Sequence, residues 1–319
     1  YLHGRAGFWP DFVFPWTAAG QLRSGIDPYQ ALPGGLIEPF ETPLLYPLTT
    51  VLATLPVSWM RLAAAGGVAM GFSAALLAWV LTARGFDRLW VLVSAPFVMA
   101  INLGQWSPLV MTAALVPAAG CLATLKPNIG LAVFIWRPSW RFAVSAALFG
   151  ALSIAVLPRW PLEWLAAVRS LPGHPAPLLA AGGAGLLLLL AVIRWRTPAA
   201  RLLLAMAFVP QLLLFADQLP LWLIARNRRE VQLLSTLSMI GFMGWIAFLP
   251  PGRPEALRAQ PWVMAFVYLP ALLLVLWRRK GAGAATDQGW LVPDDQGSAT
   301  RKATRAESPP AIVTTTESG

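Results

Sequence analysis

Residues 62–83 read LAAAGGVAMGFSAALLAWVLTA, with no charged side chain in the run. A helix rises 1.5 Å per residue, so about 20 apolar residues cross a hydrocarbon core ~30 Å thick. Leu62–Ala83 is long enough. Three further stretches, Pro177–Ile193, Val231–Leu249 and Trp262–Trp277, read the same way. Across the 319 residues, 57% are hydrophobic and 12% charged, against roughly 25% charged in soluble domains. A water-soluble domain is excluded. The expected fold class is all-α: a polytopic helical membrane protein with broken or re-entrant helices.

The net charge of +10 matters less than its placement. Arg84 and Arg88, Arg137 and Arg141, Arg194, Arg196 and Arg201, Arg226, Arg228 and Arg229, and Arg278, Arg279 and Lys280 sit at the ends of apolar spans. That is a positive-inside signature and not a nucleic-acid footprint. With those clusters in the cytoplasm, residues 1–45, 158–176 and 250–261 fall outside. The single cysteine, Cys121, lies in an apolar run, so no disulfide framework exists. The chain lacks an initiator Met and no apolar span precedes residue 11. Either a missing N-terminal helix or a fragment of a longer chain is therefore expected.

Two segments strain the simple count. Tyr46–Met60 is short, carries Pro47 and Pro56 and ends at Arg61, so a short interfacial or re-entrant helix is expected there. Arg201 to Arg226 must enter and return, yet about 25 residues at 1.5 Å give roughly 37 Å, short of two crossings. Pro210, Asp217, Gln218 and Pro220 lie in its middle. A broken pair is expected, and irregular backbone survives only where it lines a protein-walled or watery cavity. Residues 89–136 are interrupted similarly. Beyond Lys280 the chain is rich in Gly, Ala, Ser, Thr and Pro, so 281–319 is expected to be a disordered cytoplasmic tail. The division is thus 1–45, an extracytoplasmic loop; 46–280, a helical bundle; and 281–319, the tail.

Candidate chemistry concentrates in the polar head, residues 1–45, and in the interruptions. Asp11, close to Trp9, Phe12 and Trp16, has two readings: a general base with a raised pKa in an aromatic pocket, or the N-cap of the helix that follows. Asp27-Pro28-Tyr29 reads first as a turn. Glu38 and Glu41 read as solvated loop. Asn102, Gly104, Gln105 and Trp106 interrupt an apolar region, as a cavity wall or as a simple loop. Asp217 has no basic neighbour within seven positions. An acid at membrane depth is a functional candidate; the structural alternative is an ion pair with Arg5, Arg23 or another external Arg. Lys126, before Pro127 and Asn128, reads as a cytoplasmic anchor ahead of a phosphate ligand. His3 and His174, far apart in sequence and with no clustered acids around them, make a poor metal site, and no nucleotide-binding or metalloprotease motif is present.

The order of elements adds to this: Asp11-Phe12, Ala18-Ala19, Gly25-Ile26-Asp27-Pro28-Tyr29, Tyr46-Pro47, Gly104-Gln105, Lys126-Pro127, then Phe215, Asp217 and Leu219. The set resembles glycosyltransferase family 87, the polyprenyl-phosphate-mannose-dependent mannosyltransferases. It departs from that family at Leu48, where a second proline is usual, at Trp16, where Tyr is common, and at Ser107, where Asn is usual. The resemblance implies a GT-C bundle in the cell membrane with an extracytoplasmic active site. It implies a polyprenyl-phosphate-sugar donor, a hexose or pentose, a glycolipid or polysaccharide acceptor, Asp11 as catalytic base, and no metal or other cofactor. Asp27, Tyr29, Tyr46, Gln105, Trp106, Asp217 and Gln218 are the positions expected to bind substrate. The competing classes are a secondary transporter or flippase of lipid-linked or polyol cargo, which shares broken helices and buried acids, and a noncatalytic scaffold.

Overall fold

Proline sets the segmentation. It is tolerated in the first turn of a helix and holds the residue before it extended. Ala95-Pro96, Ser107-Pro108, Val116-Pro117, Lys126-Pro127 and Thr197-Pro198 each stand at the start of a new helical segment. The computed structural model describes residues 9–30, 36–37, 42–170, 175–211, 213–248, 259–278 and 290. Its α-helices are α1 (Val13–Arg23), α2 (Leu48–Thr54), α3 (Leu62–Thr82), α4 (Ala95–Leu103), α5 (Ser107–Leu115), α6 (Pro127–Trp136), α7 (Trp140–Val156), α8 (Trp160–Ser170), α9 (Pro198–Phe208), α10 (Arg228–Ala247), α11 (Gln260–Val263) and α12 (Leu269–Trp277). Tighter 3₁₀ segments cover Phe86–Val93, Pro117–Leu125, Ala181–Arg194 and Ala216–Ile224.

The chain is a mostly helical membrane protein. Among the described residues, α3, α10 and the continuous run Gln260–Trp277 are long and apolar enough to cross a bilayer. The count reaches five if each of two bent pairs is one span: Phe86–Val93 with α4, bent by 60°, and α7 with α8, bent by 95°. Pro177–Ile193 departs from expectation. It splits at Ala180, and Gly182 and Gly183 take positive φ values, so no single long α-helix forms. The head also holds a small antiparallel pair, β1 (Leu36–Ile37) and β2 (Thr42–Pro43). The break expected between Arg201 and Arg226 is present, since α9 stops at Phe208 and the 3₁₀ segment begins at Ala216. Of residues 281–319 only Trp290 is described. It is buried, so the tail is not wholly detached from the bundle.

The arginine clusters meet at one end of the bundle and serve its helix C-termini, which leave carbonyls without intrahelical partners. Arg84 donates to the carbonyls of Val80 and Trp290, at 2.8 and 2.7 Å, and to that of Leu115. Arg201 reaches the Trp136 carbonyl at 3.1 Å. Arg278 reaches the Ile224 carbonyl at 2.6 Å and Glu230 at 2.8 Å. Thus α5, α6 and Ala216–Ile224 all end at the arginines, and all three begin at the opposite side. With nine, ten and nine residues, they reach roughly 14, 15 and 18 Å, about half a span. The head fills the recess they leave. Ala18, Ala19, Tyr29, Leu44, Leu48 and Val51 form one apolar cluster there. Phe12, Ala65, Met70, Trp106 and Leu109 form another.

Candidate functional site

Four segments start in one place: α1, α5, α6 and Ala216–Ile224. Just before or just inside each start stands a polar side chain, in turn Asp11, Gln105, Lys126 and Asp217. They form a single hydrogen-bonded chain. The Gln105 amide donates to Asp11 Oδ2. Lys126 Nζ donates to Gln105 Oε1 at 2.7 Å and to Asp217 Oδ1, its ion-pair partner. Asp217 is 4% exposed and Gln105 6%, while Asp11 and Lys126 are half-buried.

Local sequence explains each position. Pro127 keeps Lys126 out of the helix, at φ −141° and ψ 78°, and so ends Pro117–Leu125 at that residue. The carbonyls freed nearby are met by α2, where Thr49 and Thr50 donate to Thr124 and Leu125, each at 2.7 Å. A cation at a helix N-terminus opposes the macrodipole by ~0.3–1 kcal/mol, and Asp217 offsets it. Gly104 ends α4 in the left-handed region at φ +78°, and a Cβ there would lie 2.6 Å from the Cβ of Phe12. Only glycine lets the head come this close. The head backbone then bonds to the carbonyls at the end of α4: Trp9 N–H to Asn102 at 3.2 Å and Asp11 N–H to Leu103 at 2.9 Å.

Asp11 is not a helix cap. Phe12 occupies the N-cap of α1 and no side chain bonds there. Burial pushes the Asp11 carboxyl above its ordinary range, and nearby Asp217 adds to this; the Gln105 hydrogen bond and the Lys126 charge pull the other way. Asp217 pairs with Lys126; of the external arginines the sequence suggested, Arg23 is exposed and Arg5 lies outside the described residues. Lys126 itself is a correction. It lies with the head, away from the arginine end where the sequence reading put it. Charged residues flanking apolar runs usually sit at span ends, and that habit masked it. The one signal available was its place before Pro127.

The other expected residues divide. Tyr46 reaches the cluster through its contact with Gln105. Gln218 is buried beside it and donates to Gln211 Oε1 at 3.0 Å, while Gln211 donates to the Met206 carbonyl at 2.7 Å. Gln211 gave no sequence signal beyond its neighbour Pro210. Asp27 and Tyr29 are brought elsewhere. The Asp27 carboxylate accepts from the Tyr29 N–H at 2.9 Å, closing a turn, and the Tyr29 hydroxyl donates to the Tyr46 carbonyl at 2.8 Å. Trp106 is packed against Phe12, with ring centroids 6.0 Å apart, and is 3% exposed. Its place is in the core under the head. Glu38, Glu41, His3 and His174 lie outside the described residues. Among the described residues no group of three or more His, Cys, Asp or Glu side chains could hold a metal ion.

No family model, no curated protein and no solved structure matches this chain.

Proposed function

We propose that the protein is a membrane glycosyltransferase that moves a sugar from a polyprenyl-phosphate donor to an acceptor hydroxyl at the extracytoplasmic face, with Asp11 as general base. The observation that carries the reading is the convergence of four helix starts on one hydrogen-bonded set, Asp11, Gln105, Lys126 and Asp217. Helix N-termini favour anions, and Lys126 adds a positive charge for a donor phosphate. A carboxyl lifted by burial is matched to proton abstraction nearer neutral pH. The ordered resemblance of the head and the later motifs to glycosyltransferase family 87 supports the same reading, and with it a GT-C arrangement.

The step balances without a redox partner. The acceptor oxygen bonds to the anomeric carbon, and its proton goes to Asp11. The bond from that carbon to the donor phosphate oxygen breaks, and the phosphate leaves with the electron pair. One displacement inverts the anomeric centre. Gln105 holds Asp11 by an N–H donor, which favours its ionised form. Asp217 holds Lys126 in place through their ion pair.

Asp11→Asn keeps size and removes the base. In proteoliposomes with a polyprenyl-phosphate hexose donor, transfer should fall by about 10²–10⁴-fold while expression holds and the melting temperature does not fall. Near-native turnover in Asp11→Asn would remove Asp11 from the chemistry. One observation favours a second reading: a buried Lys–Asp pair between two broken segments is also what a proton-coupled transporter or flippase uses. Cargo movement in the same vesicles, without sugar transfer, selects it.

A further inference from the structure

Helix α8 follows α7 after a 95° bend. The end of α7 that it leaves, Leu152, Ile154 and Val156, is exposed and apolar, as a lipid-facing surface of a membrane helix must be. Helix α7 by itself has 17 residues, about 25 Å, the short end of what crosses a bilayer; a helix at right angles to it, at its far end, then lies along the membrane surface. The two faces of α8 differ. Trp160, Glu163 and Trp164 turn inward. Trp160 and Trp164 pack with each other and with the head, their ring centroids 6.1 Å apart. The Trp164 indole donates to the Leu45 carbonyl at 2.9 Å, and Gln30 donates to Glu163. The outward face carries Leu162, Leu165 and Val168, which are 73%, 38% and 40% exposed. Arg159 precedes the helix and Arg169 ends it, both exposed.

Exposed leucines at this spacing, bracketed by arginines, fit the boundary between acyl chains and headgroups. There apolar side chains enter the upper acyl region and long cations reach phosphates. We propose that α8 is an interfacial helix whose outward face docks on the lipid leaflet at the head's side of the bundle, with Arg159 and Arg169 on anionic headgroups. Its continuity with the exposed apolar end of α7 selects lipid as the occupant. The inner face is bonded to the head on both sides of β1 and β2, at Gln30 and at Leu45. Docking therefore fixes the height of the head, and of Asp11 beneath it, relative to the leaflet. The inference rests on the membrane character of the chain and not on sugar transfer.

The test uses the full chain with Cys121→Ala, reconstituted in vesicles of phosphatidylcholine alone or with one-third phosphatidylglycerol. Single cysteines replace Leu162, Leu165 or Val168 and carry a nitroxide. Paramagnetic oxygen and a water-soluble nickel chelate then report depth. The expected result is high oxygen and low nickel accessibility at all three sites, at about 5–10 Å below the phosphates, and deeper with phosphatidylglycerol. Arg159→Gln with Arg169→Gln should abolish that dependence on the anionic lipid. High nickel accessibility at the three sites would overturn the proposal in favour of a solvated loop. Protection from both probes would overturn it in favour of a second copy or another protein. Melting curves of each labelled chain confirm that α8 is still docked. A label at Ala167, on the half-buried inner side, serves as the reference.

Discussion

At Lys126 and Asp217 the fold places a cation and a carboxylate inside the bundle with side-chain exposures of 17% and 5%. A buried pair of this kind contributes little over an apolar pair of similar volume, yet removing one partner leaves a charge stranded. Lys126→Met should therefore destabilise by about 3–5 kcal/mol, read as the shift in a detergent denaturation midpoint. Lys126→Met with Asp217→Leu should recover most of that loss. If the double variant is as unstable as the single one, the pair is not the source of the cost. Asp11 gives a prediction in pH. Burial raises its pKa above the ~3.9 of an exposed aspartate. Between that value and the raised one, the folded protein holds a proton that the unfolded chain has released. The stabilisation is complete below the unfolded value and is lost as pH rises through the folded one. Asp11→Asn should thus match the parent at low pH and melt higher at neutral pH. A parallel pair of curves would contradict the shift.

At the scale of elements, three short segments run the same way, α5, α6 and Ala216–Ile224, from the polar set to the arginines. Their dipoles point a positive end at Asp11 and Asp217 and a negative end at Arg84, Arg201 and Arg278. The last of them is closed from an unexpected direction. The Trp290 indole donates to the Ala225 carbonyl at 2.5 Å, and Arg88 lies 4.3 Å over its ring. Trp290→Ala removes a large buried side chain and a cap from the segment that starts at Asp217. A loss of about 3–5 kcal/mol is expected, with faster hydrogen exchange in residues 216–226 than elsewhere. An unchanged melting temperature would mean that Trp290 only rests on the surface. These contacts were not legible in the sequence, because a single Trp in a stretch rich in Gly, Ala and Thr carries no periodic signal.

For the whole molecule, the arginine end and the carboxylate set lie on opposite sides of the bundle, and the positive-inside pattern predicts a cytoplasmic arginine end. Cysteines at Ser24 and Thr197, one at a time in Cys121→Ala, test this with an impermeant thiol reagent on intact cells. Ser24 should label and Thr197 should not; the reverse outcome inverts the molecule and moves Asp11 to the cytoplasm.

The sequence by itself determined the membrane class, three of the four long apolar spans and the broken segment around Asp217. Each follows from local facts: apolar run length, proline placement, and a residue count too short for two crossings. It also singled out Asp11, Gln105 and Asp217, because a polar side chain in an apolar stretch is visible without knowing its neighbours. What only the tertiary structure decided is partnership. Lys126 and Gln105 together joined the two carboxylates, Asp27 and Tyr29 went to a turn, and Trp106 went to the core. The four members of the polar set stand 94, 21 and 91 positions apart along their hydrogen bonds. No local pattern links residues at such separations. Their meeting is fixed by where Pro108, Pro127 and the Phe208–Ala216 break restart the chain, and by glycine at 104 letting the head descend onto those starts.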